Sequence, residues 1–178
     1  MDIYQIWTTY NKQWSRYEIL AFTGVLILVC TVMAVCVHRK KLNIIQAAAV
    51  LALVVFLGIV FGSTVFTRTG TIRQYELVPF WSWRDIIRYH DWTLLKENLL
   101  NCILLLPAGV LLPIIANHKV KWYQALAVGI LVSAIIEFSQ LIFMRGLFEW
   151  DDMIHNGLGC MLGSMVTNYI MNVWRKNK

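Results

Sequence analysis

Apolar residues in this chain gather into long runs rather than alternating or narrow amphipathic patterns. Five such segments emerge, at about 19–37, 44–66, 98–116, 122–144 and 154–173. Each supplies roughly the 20 residues that cross a hydrocarbon core about 30 Å thick. Lipid offers the backbone no hydrogen-bond partners, so each segment is predicted to be a helix. The expected fold is all-α: a polytopic membrane helix bundle of about five transmembrane helices, with residues 1–178 forming one membrane domain.

Two segments carry distinguishing marks. The third contains Pro107 and Pro113, which remove helical hydrogen bonds and predict a kinked or broken span. The fifth is the most polar and carries Gly157, Gly159 and Gly163, so it is expected to pack against protein rather than lipid. The first segment ends in Val37-His38-Arg39-Lys40-Lys41 with no small-residue cleavage site; it reads as a retained helix, not a signal peptide. Between the second and third segments, residues 67–97 mix aromatics with arginines, including Phe80-Trp81-Ser82-Trp83-Arg84. That composition suits the headgroup layer and predicts a short amphipathic helix on the membrane at about 82–89.

Composition agrees with a lipid solvent. The chain is 58% hydrophobic and only 15% charged, against about 45–50% and 25% in soluble domains. The net charge of +6 sits beside the apolar runs with no basic stripe, so it bears on membrane orientation and excludes a nucleic-acid partner. Lys and Arg divide equally, eight and eight, between the two sets of loops. The stretches 38–43, 117–121 and 174–178 concentrate theirs in short, acid-free segments. The C-terminus is therefore expected in the cytoplasm and the N-terminus outside, with the 67–97 and 145–153 loops facing outward. Cys30, Cys36, Cys102 and Cys160 lie in or at the ends of apolar runs without metal spacing and read as packing residues.

Candidate chemistry concentrates between Ser133 and Gly163. Glu137 and Gln140 share a helical face. Asp151 and Asp152 open the fifth helix, where the macrodipole favours carboxylates. Asp152, Asn156, Gly159 and Gly163 recur at helical spacing, and Gly159–Gly163 is a small-xxx-small step that permits close helix approach. Arg145 lies in the turn between these helices, and Arg73 could reach the same place from the long loop. Asn98 and Asn101 share a face early in the third segment and suit either interhelical hydrogen bonding or the lining of the same pocket. Ionisable groups in a membrane span are costly and point to function. Glu137 and Asp152 are accordingly the candidate catalytic carboxylates. The alternative is structural, with Asp151 capping the fifth helix and Glu137 in a buried ion pair with an arginine. The Asp-Asp-x-x-His spacing is too short to specify a metal, and no cofactor motif is present.

These residues resemble the VanZ family in three places. They are Arg73 with Pro79-Phe80; Asn98 through Pro107-Ala108-Gly109; and Glu137-x-x-Gln140 followed by Arg145-Gly146, Asp151-Asp152, Asn156-x-x-Gly159 and Gly163. The resemblance covers about 44–173; Ala108 departs from the larger apolar residue common there. It implies a bacterial envelope role and an association with low-level resistance to teicoplanin, a lipid-anchored glycopeptide. It also implies that Arg73, Asn98, Asn101, Glu137, Gln140, Arg145, Asp151, Asp152 and Asn156 form the functional region. The expected partners are membrane lipids and either a lipoglycopeptide or a lipid-linked cell-wall precursor bound in an outward-facing polar pocket. An intramembrane enzyme acting on such a lipid, or an assembly protein, is the alternative.

Overall fold

The computed structural model describes residues 14–68 and 72–176. Its elements, in chain order, are α1 (Arg16–His38), α2 (Ile44–Phe61) continuing into a π-helical turn (Gly62–Phe66), β1 (Gln74–Glu76), α3 (Trp81–Tyr89), α4 (Trp92–Leu104), α5 (Leu106–Ala116), α6 (Trp122–Phe143), β2 (Leu147–Glu149) and α7 (Trp150–Lys176). Among the described residues four spans are long and apolar enough to cross a membrane: Arg16–His38, Ile44–Phe66, Trp92–Ala116 and Trp122–Phe143. The fifth long helix, α7, is 27 residues long but more polar, and it packs against α4, α5 and α6.

Local sequence explains the helix ends. Ser15 and Glu18 form a capping box at the start of α1, and Asn43 and Gln46 form another at α2. The third span breaks at Leu105 because Pro107 supplies no amide to the preceding turn, and Pro113 is accommodated inside α5. The span starts earlier than its apolar run suggests, since Asp91 accepts from the Thr93 and Leu94 amides and caps α4.

The bundle inverts the soluble pattern. Large side chains such as Ile27, Leu28, Ile59, Leu131 and Tyr169 face outward, while Ser133, Glu137, Gln140, Asp151, Asn156 and Ser164 are buried. Lipid accepts the former without penalty, and protein must satisfy the latter. The apolar centre is small: Val60, Val65 and Ile136, with Phe56, Phe61, Leu104 and Val132 around them.

Glycine sets the distance between α7 and its neighbours. A Cβ on Gly159 would lie 1.7 Å from the Cys102 carbonyl oxygen, and one on Gly163 would lie 2.2 Å from that of Leu106. These are backbone contacts that no side chain can yield to. The expected close approach at Gly159–Gly163 is thus made against α4 and the start of α5.

The two ends of the bundle differ. At one, Gln46 Nε2 donates to the Ile115 carbonyl at 2.9 Å, and Asn168 exchanges hydrogen bonds with Val120 at 3.2 and 2.7 Å. This end gathers the 38–43 and 117–121 turns and the end of α7. At the other end, β1 and β2 pair in parallel, Gln74 opposite Leu147 and Glu76 opposite Glu149, and α3 packs against α4.

Candidate functional site

The polar residues meet at the end that carries α3. Helix α3 has no side-chain cap of its own, and Phe80 precedes it in a left-handed conformation. Asp151 supplies the cap from α7. Its Oδ1 accepts from the Phe80 amide at 2.6 Å, and its Oδ2 accepts from the Ser82 amide and hydroxyl at 3.3 and 2.6 Å. The carboxylate thus caps α3 from 69 or more residues away, not its own helix. Asn98 Nδ2 donates to Ser82 Oγ at 3.1 Å, and Trp83 Nε1 donates to His155 Nε2 at 2.8 Å. Three ties therefore hold the interfacial helix on α4 and α7.

Beside this clamp, Asn101 Nδ2 donates to Asp152 Oδ1. Asn156 Nδ2 donates to Ser133 Oγ at 2.8 Å, and that hydroxyl contacts the Asp152 carbonyl at 3.4 Å. Glu137 is 2% exposed; its Oε2 accepts from the Glu149 amide at 3.1 Å, fixing the end of β2. Gln140 Nε2 donates to the Thr64 carbonyl at 3.1 Å, and Arg145 Nη1 donates to the carbonyls of Val65 and Phe66. These two side chains satisfy carbonyls that the π-helical turn releases. Arg145 therefore fastens the second span and does not pair with Glu137. Among the described residues the ion pair is Arg84–Asp85, on the surface of α3.

A cavity of about 760 Å³ opens alongside, lined by Arg68, Trp81, Glu97, Asn98, Asn101, Glu149, Asp151 and Asp152 among others. Of the residues singled out by sequence, Asn98, Asn101, Asp151 and Asp152 lie on its wall. Glu137, Gln140 and Asn156 lie among the supports behind it, and Arg145 is spent on the π-helical turn. Arg73 is exposed in the segment before β1 and is not on the wall; the arginine there is Arg68. Arg68 and Glu149 were not singled out by sequence. Glu149 is brought in by the β1–β2 pairing, whose three-residue strands leave no alternating signature. Arg68 is placed by the π-helical turn.

Burial pushes the Glu149 carboxyl up to about 7 from an ordinary 4.5. The neighbouring Asp152 charge adds to the shift, and the Trp81 indole N–H opposes it. The buried Trp81 Nε1 and Glu149 Oε1 are thus close enough to interact with each other. Among the described residues no group of three or more His, Cys, Asp or Glu side chains is arranged to hold a metal ion. The wall is rich in carboxylate acceptors, with one guanidinium and two amides.

Neither a curated protein nor a solved structure matches the chain. Residues 43–172 match the sequence profile of the VanZ/LLP1 family. That match begins at the cap of α2 and leaves out α1, which buries no residue and contacts α2. That match covers most of the chain, and four long apolar spans lie among the described residues, so the chain is a member of the VanZ/LLP1 family, a multi-helix membrane protein.

Proposed function

We propose that this protein acts in the bacterial cell envelope by binding an amphiphile in the cavity beneath α3, with that end of the bundle facing outward and the C-terminus in the cytoplasm. The observation that carries the reading is the cavity: Arg68, Asn101, Glu149 and Asp152 converge on one hollow beneath a helix whose exposed Phe80, Trp83 and Tyr89 suit the headgroup layer. Polar groups gathered at a membrane boundary offer hydrogen bonds to a head while neighbouring lipid accepts a tail. Family membership supports a lipoglycopeptide of the teicoplanin type, or a lipid-linked cell-wall precursor, as the ligand.

The test is expression of the wild type and of Arg68→Ala and Asp152→Asn at equal membrane levels in a susceptible host. The wild type should raise the teicoplanin concentration that stops growth, and both variants should lose the effect. Unchanged susceptibility with the wild type would remove the resistance role.

A second reading, an enzyme acting on a lipid-linked substrate, is favoured by one observation: the Glu149 carboxyl, raised to about 7, shares the cavity wall with Asp152. A carboxyl poised near neutrality suits general acid–base work. Glu137, by contrast, is held behind the wall by the Glu149 amide. Purified protein incubated with cell-wall lipid intermediates should then give a product by mass spectrometry that Asp152→Asn abolishes. Absence of product would remove this reading.

A further inference from the structure

A second groove, of about 430 Å³, opens at the opposite end of the bundle, where α2 begins and α5 and α7 end. Gln46 ties α2 to α5 through the Ile115 carbonyl, and Asn168 ties α7 to Val120 in the turn after α5. These bonds hold its three walls together. Each wall grades from polar to apolar. Asn43, Asn117 and Trp174 form the rim, and Ile45, Ile114, Ile170 and Met171 lie two to four residues deeper, about 3–6 Å further along the helices. Ile45, Ile170 and Trp174 are 70%, 52% and 69% exposed, so the groove is open to lipid along its side.

The rim is built for negative charge. The capping box of α2 uses the amides of Asn43 and Gln46 and leaves those of Ile44 and Ile45, at the positive end of the helix, without an intrahelical acceptor. The last carbonyls of α5 do not compete: Ile114 accepts from the Asn117 amide and Ile115 from Gln46. Lys41 lies two residues before Asn43 and Lys119 two residues after Asn117, each within about 7 Å of the rim along the chain. Among the described residues neither lysine makes a side-chain hydrogen bond or ion pair, and both are exposed. Asp and Glu of the described residues fall at 18, 76–97 and 137–152, at the other end of the bundle. Trp174 adds an indole suited to the headgroup layer.

We infer that this groove holds one anionic phospholipid, its phosphate over the Ile44 and Ile45 amides between Lys41 and Lys119, and its acyl chains along Ile45, Ile114 and Ile170. The site lies away from the cavity beneath α3 and stands whatever that cavity binds. A lipid seated there bridges the start of α2 to the ends of α5 and α7.

The experiment titrates the purified full chain in dodecyl maltoside micelles with phosphatidylglycerol, phosphatidylcholine or glycerol phosphate and reads bound mass by native mass spectrometry. Phosphatidylcholine has the same phosphate and tails but adds a cation; glycerol phosphate has the anion without tails. One phosphatidylglycerol should saturate at least about tenfold tighter than phosphatidylcholine, and glycerol phosphate should bind far more weakly. Lys41→Gln and Lys119→Gln should each weaken phosphatidylglycerol about fivefold, together erasing the preference, and leave phosphatidylcholine unchanged. Lys121→Gln is the control for diffuse charge, since Lys121 lies over the Tyr123 ring; it should change binding less than twofold. Thermal midpoints in detergent alone should be the same for all variants, which separates lost binding from lost fold. Equal binding of the two phospholipids, a preference untouched by Lys41→Gln and Lys119→Gln, an equal loss with Lys121→Gln, or glycerol phosphate binding as tightly as the lipid would overturn the inference.

Discussion

At Asp151 both carboxylate oxygens are consumed by Phe80 and Ser82, which makes this side chain the clasp of α3. Asp151→Ala should release three hydrogen bonds to a buried site, at a cost of about 1–3 kcal/mol. Hydrogen exchange should then quicken over 81–89 before any other segment; a uniform increase would contradict the clasp. Glu149 gives a pH signature. Its folded-state pKa is about 7 against an ordinary 4.5, so the folded protein holds this proton more tightly than the unfolded chain does. The stability it contributes is full below about 4.5 and is lost as pH rises through about 7. Thermal unfolding in nanodiscs should shift downward across that window, and Glu149→Gln should flatten the slope. At this scale the sequence was partly legible. Asp152, Asn98 and Asn101 announced themselves as polar residues at helical spacing in apolar runs. Arg68 and Glu149 did not, because a π-helical turn and a pair of three-residue strands bring them in.

Among the elements, α7 approaches the α4–α5 break backbone to backbone at Gly159 and Gly163. Gly159→Ala would set a methyl carbon 1.7 Å from the Cys102 carbonyl oxygen, so the helices must part. The expected cost is about 3 kcal/mol or more, while Gly24→Ala, with open space around it, should be close to neutral. Thermal midpoints of the two variants in the same detergent check this. Helix existence was readable because runs of about 20 apolar residues have no other solution in lipid. The segment 44–66 was recovered as Ile44–Phe66 and 122–144 as Trp122–Phe143. The amphipathic stretch at about 82–89 emerged as Trp81–Tyr89. Asp151 and Asp152 lie in the first turn of α7, as their place before the fifth apolar run implies, whereas the third span begins at Trp92, ahead of its apolar run, since a polar first turn falls outside a hydropathy reading.

Across the whole molecule, α1 stands apart from the rest. It buries no residue and contacts α2, and the family match starts after it. The remaining helices gather polar side chains at one end and basic turns at the other, and this asymmetry is what the proposed orientation rests on. Lys and Arg counts alone leave the two sides equal, so direction follows from how tightly the short turns concentrate their charge. The most direct measurement is labelling with a membrane-impermeant thiol reagent in intact cells. The starting protein has Cys30, Cys36, Cys102 and Cys160 replaced by alanine or serine, and single cysteines are introduced at Arg68, Asn101 or Asn117. Cysteines at 68 and 101 should react from outside, and the cysteine at 117 only after permeabilisation. Labelling at 117 from outside with 68 and 101 silent would contradict the outward-facing cavity.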